Sequence, residues 1–357
     1  MAALYPFGLS AILSLVVVGW LARTRRLPGF TDRPNHRSLH TSPVSRLGGL
    51  GLFMAAGLAL LLQIGLIGIA EPTDVRWLAF GAGLAVLIAL GVLDDRGGVR
   101  ASWRLLTHAG CSMLLLAAMQ CESSCHAWPD AWPDTVGPVA AAKVLAVDGR
   151  IIVFAGSMLL LTGLVWLSNL FNFMDGSDGL AGSTALLGFS TYALLAPTGS
   201  LLQVVSLLIA GSSAGFLAWN WSPARIFLGD AGSVPLGWAA GALGILGAQA
   251  GYWAWPLPLL LFLPFVMDAT ATLMRRLIGR QRFWEAHRDH AYQRLVLSGW
   301  SHRRVALLYA ALMLPAIVTA GTTRYLDAAE PIIIWTVIIC GNAVIHWWAC
   351  HQHRQPA

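Results

Sequence analysis

Charge is scarce in this chain. Only 11% of its 357 residues are charged, against 57% that are hydrophobic, and the mean hydropathy is +0.65. A soluble domain is nearer a quarter charged, so this composition excludes an ordinary soluble enzyme and indicates a polytopic membrane protein. Heptads, a long internal repeat and a boundary to a soluble domain are also missing, so we expect residues 1–357 to form one integral membrane domain.

Cysteine is also sparse, and its pattern excludes two kinds of site. The five cysteines match neither a zinc-binding nor a redox motif. Cys111, Cys340 and Cys350 are scattered along the chain. Cys121 and Cys125 are close in sequence, and a disulfide between them is chemically feasible outside the cytoplasm; the sequence leaves this open.

The chain contains many long apolar segments. A spanning helix needs roughly 20 mainly apolar residues, and on that measure there are about eleven spans. They are residues 4–22, 48–69, 77–93, 105–119, 151–168, 179–196, 201–220, 232–249, 252–274, 304–321 and 331–349. Helices are expected because each segment must satisfy its own backbone in lipid, and the segments are too long for barrel strands. The predicted fold is therefore an all-α polytopic membrane protein.

The basic residues predict the orientation. Nineteen of the 23 lie in alternate loops and the C-terminal tail, which places those loops in the cytoplasm and the N-terminus outside. The predicted cytoplasmic loops are 23–47, 94–104, 169–178, 221–231 and 275–303, and the large outer loop is 120–150. The first span has no basic segment before it, so it is expected to be a retained anchor. Anionic lipid head groups account for the net charge of +6 without nucleic acid.

Acidic residues cluster in three of the predicted cytoplasmic loops, each beside glycines at the membrane edge. The clusters are Asp94 with Asp95, Asp175 with Asp178, and Asn220 with Asp230. Solvation or helix capping would explain any one of them. However, two adjacent carboxylates at a helix C-terminus oppose the helix dipole, and three such clusters lie on one face.

These residue types point to phosphoryl chemistry. Carboxylate and asparagine oxygens suit Mg²⁺ or Mn²⁺. Glycine-rich turns that enter helices bind phosphate through free N–H groups, and arginines add further anion binding. Together with the location at the membrane edge, this pattern predicts phosphoryl transfer to a lipid.

Five motifs identify a family resemblance. They are DRPNHRSLHTSPVSRLGGLG, LDDRGGVRASWRL, NLFNFMDGSDGLAG, NWSPARIFLGDAGSVPLG and HRDHAYQRL. The chain resembles the polyprenyl-phosphate N-acetylhexosamine-1-phosphate transferases, the superfamily of WecA, MraY and TagO, from about residue 31 to residue 300. The last motif looks most like the WbpL-like branch of glycosyltransferase family 4, which initiates O-antigen, although Ala291 replaces one of that motif's histidines.

The resemblance implies an enzyme of the bacterial inner membrane. A UDP-activated N-acetylamino sugar would give its sugar 1-phosphate to undecaprenyl phosphate, with Mg²⁺ or Mn²⁺ as cofactor and UMP as the second product. The sugar stays open among the N-acetylated forms of glucosamine, galactosamine, quinovosamine and fucosamine. The oligomeric state is also open, with a homodimer as one option.

The resemblance also assigns roles to residues. Asp94 would deprotonate the lipid phosphate or act as a covalent nucleophile, Asp95 would support it or the metal, and Asp230 and Asp175 would be metal ligands. Phe227 would stack on uracil. The remaining residues expected to bind substrate or phosphate are Asn169, Asn172, Asp178, Asn220, His287, Arg288, His290, Arg37, His40 and Arg46.

Two alternative functions and the role of one residue, Asp268, remain undecided. A transporter would place its ionisable groups near mid-membrane at broken helices, and a non-catalytic lipid-binding protein would not need an acid set suited to a metal. Asp268 lies inside the predicted ninth span. Such a residue is either a site residue or a polar partner in helix packing.

Overall fold

The computed structural model of the protein describes residues 4–23, 29–32, 43–67, 74–122, 149–281, 287–322 and 329–351. Helices dominate the described residues. They are α1 Tyr5–Arg23, α2 Gly48–Ile67, α3 Val75–Gly97, α4 Ala101–Glu122, α5 Gly149–Met174, α6 Leu180–Leu195, α7 Leu201–Asn220, α8 Asp230–Gln249, α9 Leu257–Leu261, α10 Leu263–Ile278, α11 Ala291–Leu297, α12 His302–Ala320 and α13 Ala329–His351. Two short strands, β1 Thr31–Asp32 and β2 Val44–Ser45, pair in antiparallel register. The predicted all-α class is confirmed.

The predicted spans correspond to helices, with one exception. In the described residues, eight helices are long and apolar enough to cross a membrane: Tyr5–Arg23, Gly48–Gly65, Val75–Gly97, Val153–Met174, Leu201–Asn220, Asp230–Gln249, His302–Ala320 and Pro331–His351. α4 is less apolar than these, and α6 has 16 residues. The predicted ninth span is broken at Phe262, where α9 ends and α10 begins. Pro264, the second residue of α10, explains the break, because proline cannot donate the hydrogen bond that would continue α9 into α10. The number of eleven spans stays a prediction.

α8 is the centre of the fold. Residues 231–248 of this helix are all buried inside the protein, and it packs against α2, α3, α5 and α6. Small residues allow its neighbours to approach closely: a Cβ on Gly91 would meet the Ala231 backbone at 2.5 Å, and a Cβ on Gly237 would lie 2.9 Å from Phe171. This is the small-residue packing of membrane helices. It brings the start of α8 to the ends of α3 and α5.

The loop before α2 is tied to the segment before α8. Ser45 forms a parallel bridge with Ile226. The Gly48 and Gly49 N–H groups donate to the carbonyls of Phe227 and Leu228 at 2.9 and 2.8 Å. This pairing places Arg46 beside the start of α8.

Some predicted features lie outside the described residues. They are Arg37, His40, nearly all of the outer loop 120–150 and the side chains of Cys121 and Cys125.

Candidate active site

Four aspartates from three separate segments meet at one end of α8. Asp94 and Asp95 end α3, Asp175 follows α5, and Asp230 is the first residue of α8. The clusters that are dispersed in sequence therefore form a single site.

Asp95 holds the start of α8. Its Oδ1 accepts the N–H of Asp230 and its Oδ2 accepts the N–H of Ala231, both at 3.0 Å. The side chain is buried, with 7% of the residue exposed. A carboxylate is suited to this position because the first N–H groups of a helix lack partners within the helix and the dipole there favours negative charge. Asp95 thus positions Asp230.

Arg104 connects two of the other acids. Its Nη1 lies 2.8 Å from Asp94 Oδ2 and 3.8 Å from Asp230 Oδ2. Asp94 Oδ1 also accepts the N–H of Val99 at 2.6 Å. The Asp94 side chain is 8% exposed, whereas that of Asp230 is 26% exposed. Asp230 is therefore the more open of the two carboxylates.

Asp175 lies in the turn after α5 and faces the same acids. Burial raises the pKa of Asp175 well above its usual value, and the negative charges of Asp230 and Asp95 raise it further. Arg46 acts in the opposite direction. Arg46 itself pairs with Asp32 at 2.6 Å. The site thus combines four carboxyl groups with two nearby guanidinium groups.

Asp178 and Asn220 join the two loops that carry Asp175 and Asp230. Asp178 Oδ2 accepts the N–H of Ala224 at 3.0 Å. Asn220 accepts the N–H of Gly179 and donates to the carbonyl of Ile226, both at 2.9 Å. Asn220 is buried. These contacts fix the relative positions of the two loops.

The other predicted residues of the central motifs lie around this cluster. Asn172 Oδ1 accepts the Ser233 hydroxyl at 3.0 Å, and Asn169 donates to the Val165 carbonyl at 2.7 Å. Phe227 is half-buried in the segment just before Asp230. Asn169 and Asn172 therefore lie on the last turns of α5, facing α4 and α8.

The histidine motif lies beside the end of α5. His290 is buried and stacks on Phe173 with ring centroids 6.2 Å apart. Burial, followed by the charges of His290 and Arg276, lowers the pKa of His287 to about 4. His287 is therefore neutral at pH 7, and its Nδ1 lies 3.3 Å from the Asp289 N–H, which leaves Nε2 as the donor. Arg288 is half-buried in the same segment.

Three residues of the site were not predicted from the sequence. Arg104, His108 and Ser112 form an i, i+4, i+8 row along α4, which places them on one face. His108 is 2% exposed, and its Nδ1 lies 3.5 Å from Asn169 Nδ2. Ser112 accepts the indole N–H of Trp238 at 3.1 Å. The regular spacing of these polar residues in an apolar segment is the sequence pattern from which they could have been predicted.

The acid cluster has the donor chemistry of a Mg²⁺ site. Among the described residues, no three histidine, cysteine or carboxylate side chains are gathered as a complete ligand set. Mg²⁺ usually takes one or two carboxylates and completes its shell with water and substrate phosphate, so a smaller set is sufficient. Asp230 and Asp175 fit that requirement, because the first is partly open and the second faces it.

The chain is similar in sequence to known transferases. A model of glycosyl transferase family 4 matches residues 77–248. The chain is 27% identical over 342 residues to the probable undecaprenyl-phosphate N-acetylglucosaminyl 1-phosphate transferase of Bacillus subtilis, which covers 93% of this chain and 88% of that protein. It is 26% identical to the decaprenyl-phosphate N-acetylglucosaminephosphotransferase of Mycolicibacterium smegmatis, over 94% of this chain and 84% of that protein. Over 54% of its length, it is 29% identical to the phospho-N-acetylmuramoyl-pentapeptide-transferase of Lactiplantibacillus plantarum.

The apolar helices and the similarity to these transferases support a multi-pass membrane enzyme of the phosphotransferase class. More particularly, the chain matches the model of glycosyl transferase family 4 over residues 77–248, and it is similar over most of its length to polyprenyl-phosphate N-acetylglucosamine-1-phosphate transferases. The resemblance read from the five motifs is confirmed at this level.

Proposed function

We propose that this protein transfers an N-acetylated amino-sugar 1-phosphate from a UDP-sugar to undecaprenyl phosphate. The products are undecaprenyl-diphosphate-sugar and UMP. The observation that carries the proposal is the arrangement of Asp94, Arg104 and Asp230 at the end of the central helix, with Asp175 facing them. Such a set suits two anionic reactants that must be brought together.

The chemistry is a single displacement at phosphorus. An oxygen of the lipid phosphate attacks the phosphorus that bears the sugar, and the bond from that phosphorus to the UMP oxygen breaks. UMP leaves with the bonding electron pair. Asp94 accepts the proton of a monoanionic lipid phosphate. Arg104 orients Asp94 through the 2.8 Å contact and contributes positive charge beside the reacting phosphates.

Mg²⁺ or Mn²⁺ is the proposed cofactor. When bound, it would neutralise phosphate charge in the site, and Asp230 and Asp175 would hold it. Asp95 acts indirectly, by holding the start of α8, because both of its oxygens accept N–H groups of that helix.

The substrate-binding residues surround this centre. Phe227 offers a ring next to Asp230 on which uracil would stack. Asn169 and Asn172 border the same space from α5. His287 would donate from Nε2 to the diphosphate or the sugar, and Arg288 and His290 lie within three residues of it. Arg46 would meet phosphate from the first loop. Arg37 and His40, outside the described residues, are proposed for the same loop.

The enzyme is proposed to work at the cytoplasmic face of a bacterial inner membrane, with eleven spans and the N-terminus outside. The charge bias of the loops supports this orientation. The acceptor would come from the membrane and the nucleotide sugar from the cytoplasm. From the form of HRDHAYQRL we propose that the product initiates O-antigen or a related surface polysaccharide.

A transporter is less well supported. The broken α9–α10 segment is the kind of element at which transporters bind ions, and it carries Asp268. However, both Asp268 oxygens already accept protein N–H groups, at 2.8 and 3.1 Å. The remaining acids of the site lie at helix ends.

The test is an assay of UMP release by the purified protein. It should be incubated with undecaprenyl phosphate and each of several UDP-N-acetylamino sugars, and the lipid product identified by mass. UMP release that requires both substrates, with a product heavier than the lipid by one sugar phosphate, is expected. Absence of UMP with every sugar would overturn the proposal in favour of a transporter or a lipid-binding protein.

A further inference from the structure

We propose that Asp268 is the positioning residue of the histidine segment, defined here as residues 287–292. Its carboxylate would fix the start of α11 and, through it, hold His290 and Tyr292 against the turn that carries Asp175. This inference rests on the proposed function, because it assigns Asp268 to the part of the site that would bind the nucleotide sugar.

The contacts of Asp268 are almost all with donors. Oδ1 accepts the N–H of Ala291 at 2.8 Å, and Oδ2 accepts the N–H of Tyr292 at 3.1 Å. The Tyr309 hydroxyl donates to Oδ2 at 2.5 Å, and the Thr272 hydroxyl lies 3.3 Å from Oδ1. The residue is fully buried. A carboxylate only accepts hydrogen bonds, so it satisfies all four donors at once.

The segment held by Asp268 is in contact with the rest of the site. The Tyr292 hydroxyl donates to the Phe173 carbonyl at 3.0 Å. It lies so close to Gly176 that a Cβ there would collide with it. Because Asp175 lies between these two positions, Tyr292 supports the turn that presents Asp175.

His290 is fixed by the same carboxylate. Its Nδ1 lies 3.5 Å from Asp268 Oδ1 and is buried, although it makes no direct hydrogen bond. Its ring stacks between Phe173 and Tyr292, with centroid distances of 6.2 and 5.8 Å. The orientation of His290 therefore depends on Asp268 and on the helix start that Asp268 holds.

The arrangement repeats the relation between Asp95 and α8. In both cases a buried carboxylate from one helix accepts the first two N–H groups of another helix, and the second helix begins beside a proposed functional residue. The dipole of α8 strengthens its contact with Asp95. Because α11 has only seven residues, the contact between Asp268 and α11 depends on the hydrogen bonds themselves.

A positioning role predicts a specific kinetic signature. Asp268→Asn presents an NH₂ group to one of the donors, which should loosen residues 287–292. The KM for the UDP-sugar should rise about tenfold, the size of losing one hydrogen bond to a charged group. The KM for undecaprenyl phosphate should change less than about twofold, the scatter expected for independent sites.

A double-variant cycle separates positioning from a general loss of stability. If Asp268 acts through His290, Asp268→Asn combined with His290→Ala should be no worse than the poorer single variant, whereas independent effects would multiply. Tyr192→Phe is the matched control. It removes one buried hydrogen bond, from Tyr192 to the Ala240 carbonyl at 3.0 Å, away from the histidine segment, and should leave both KM values unchanged.

Hydrogen–deuterium exchange provides a readout that needs no activity. The peptide containing Ala291 and Tyr292 should exchange faster in Asp268→Asn and not in Tyr192→Phe. If Asp268→Asn does not fold, Tyr309→Phe, which removes one donor to the carboxylate, should show the same changes to a smaller extent. Multiplying kinetic effects, or unchanged exchange in this peptide, would overturn the proposal. A wild-type protein that releases no UMP would instead overturn the proposed function, while the exchange experiment would still decide the role of Asp268.

Discussion

Asp95 and Asp230 are linked by a hydrogen bond from the Asp230 N–H to the Asp95 carboxylate, 3.0 Å long, with a second bond of the same length to the next residue. Asp95 and Asp230, which come from two separate motifs, therefore have different tasks. The backbone of Asp230 is held by Asp95, and its side chain stays partly exposed beside Arg104. The LDD motif thus places Asp94 in the site and uses Asp95 to build it.

Asp95→Asn should lower both stability and activity. The amide keeps one acceptor and turns an NH₂ group toward a backbone donor, so we expect a loss of about 1–3 kcal/mol in the free energy of unfolding. Activity should fall because Asp230 is no longer fixed. Asp74→Asn is the matched control, since Asp74 caps the opposite end of the same helix and accepts the Arg76 N–H at 2.8 Å. Equal losses of activity in the two variants would contradict the positioning role of Asp95.

Gly229→Ala should disable the site more than backbone strain alone explains. Gly229 has φ +70°, and a Cβ there would collide with the Arg46 carbonyl and lie 2.7 Å from Asp95 Oδ2. Gly199 has φ +81° with nothing near its Cβ position. Gly199→Ala should therefore lower the free energy of unfolding only by the strain of the left-handed conformation, about 1–2 kcal/mol. Thermal unfolding and UMP release should both show the larger effect at Gly229. Similar effects at the two glycines would mean that the contact between Asp95 and α8 tolerates displacement.

The sequence predicted the helical class, the order of the motifs and the meeting of their acids, because hydropathy sets the helices and the motifs lie at helix ends. It did not predict the break at Phe262, since an apolar segment reads as continuous even with Pro256, Pro258 and Pro264 inside it. It also left Asp268 undecided. The carboxylate is 23 residues from the N–H of Ala291 that it accepts, and no local pattern records a cap supplied from such a distance. Arg104 was missed because its role depends on how α4 is rotated relative to α3.

The proposed orientation can be tested with introduced cysteines. In a variant without the five native cysteines, Thr198→Cys lies in the exposed turn between α6 and α7, and Gln281→Cys lies in the exposed segment after α10. A membrane-impermeant thiol reagent added to intact cells should label the first and not the second, because the basic loops are expected in the cytoplasm. Permeabilised cells should show labelling at both positions. The reverse pattern in intact cells would place the acid cluster outside and remove access to cytoplasmic UDP-sugars.

Asp230→Asn should abolish nearly all turnover without unfolding the protein. The side chain is 26% exposed, and the backbone contact with Asp95 is unaffected by the change. Loss of the charge should weaken the proposed Mg²⁺ site, so the residual activity should need more metal for saturation. Titration of activity with Mg²⁺, alongside thermal unfolding, measures both effects. Activity like that of the wild type at saturating Mg²⁺ would exclude Asp230 as a ligand.

Asp94→Asn should reduce turnover most at low pH. If Asp94 accepts a proton from the lipid phosphate, its loss matters less where the phosphate is already dianionic, above the second pKa of about 6 for a phosphomonoester. The ratio of wild-type to variant kcat should therefore fall as pH rises from about 6 to 8, across and above that pKa. Asn can still accept the Val99 N–H at the Oδ1 position, where the distance is 2.6 Å, so the end of α3 should keep its shape. His287 does not titrate between pH 6 and 8, because its pKa is lowered to about 4. A ratio that is constant with pH would argue against proton transfer to Asp94, and isolation of a sugar phosphate covalently attached to Asp94 would replace the single displacement with a two-step mechanism.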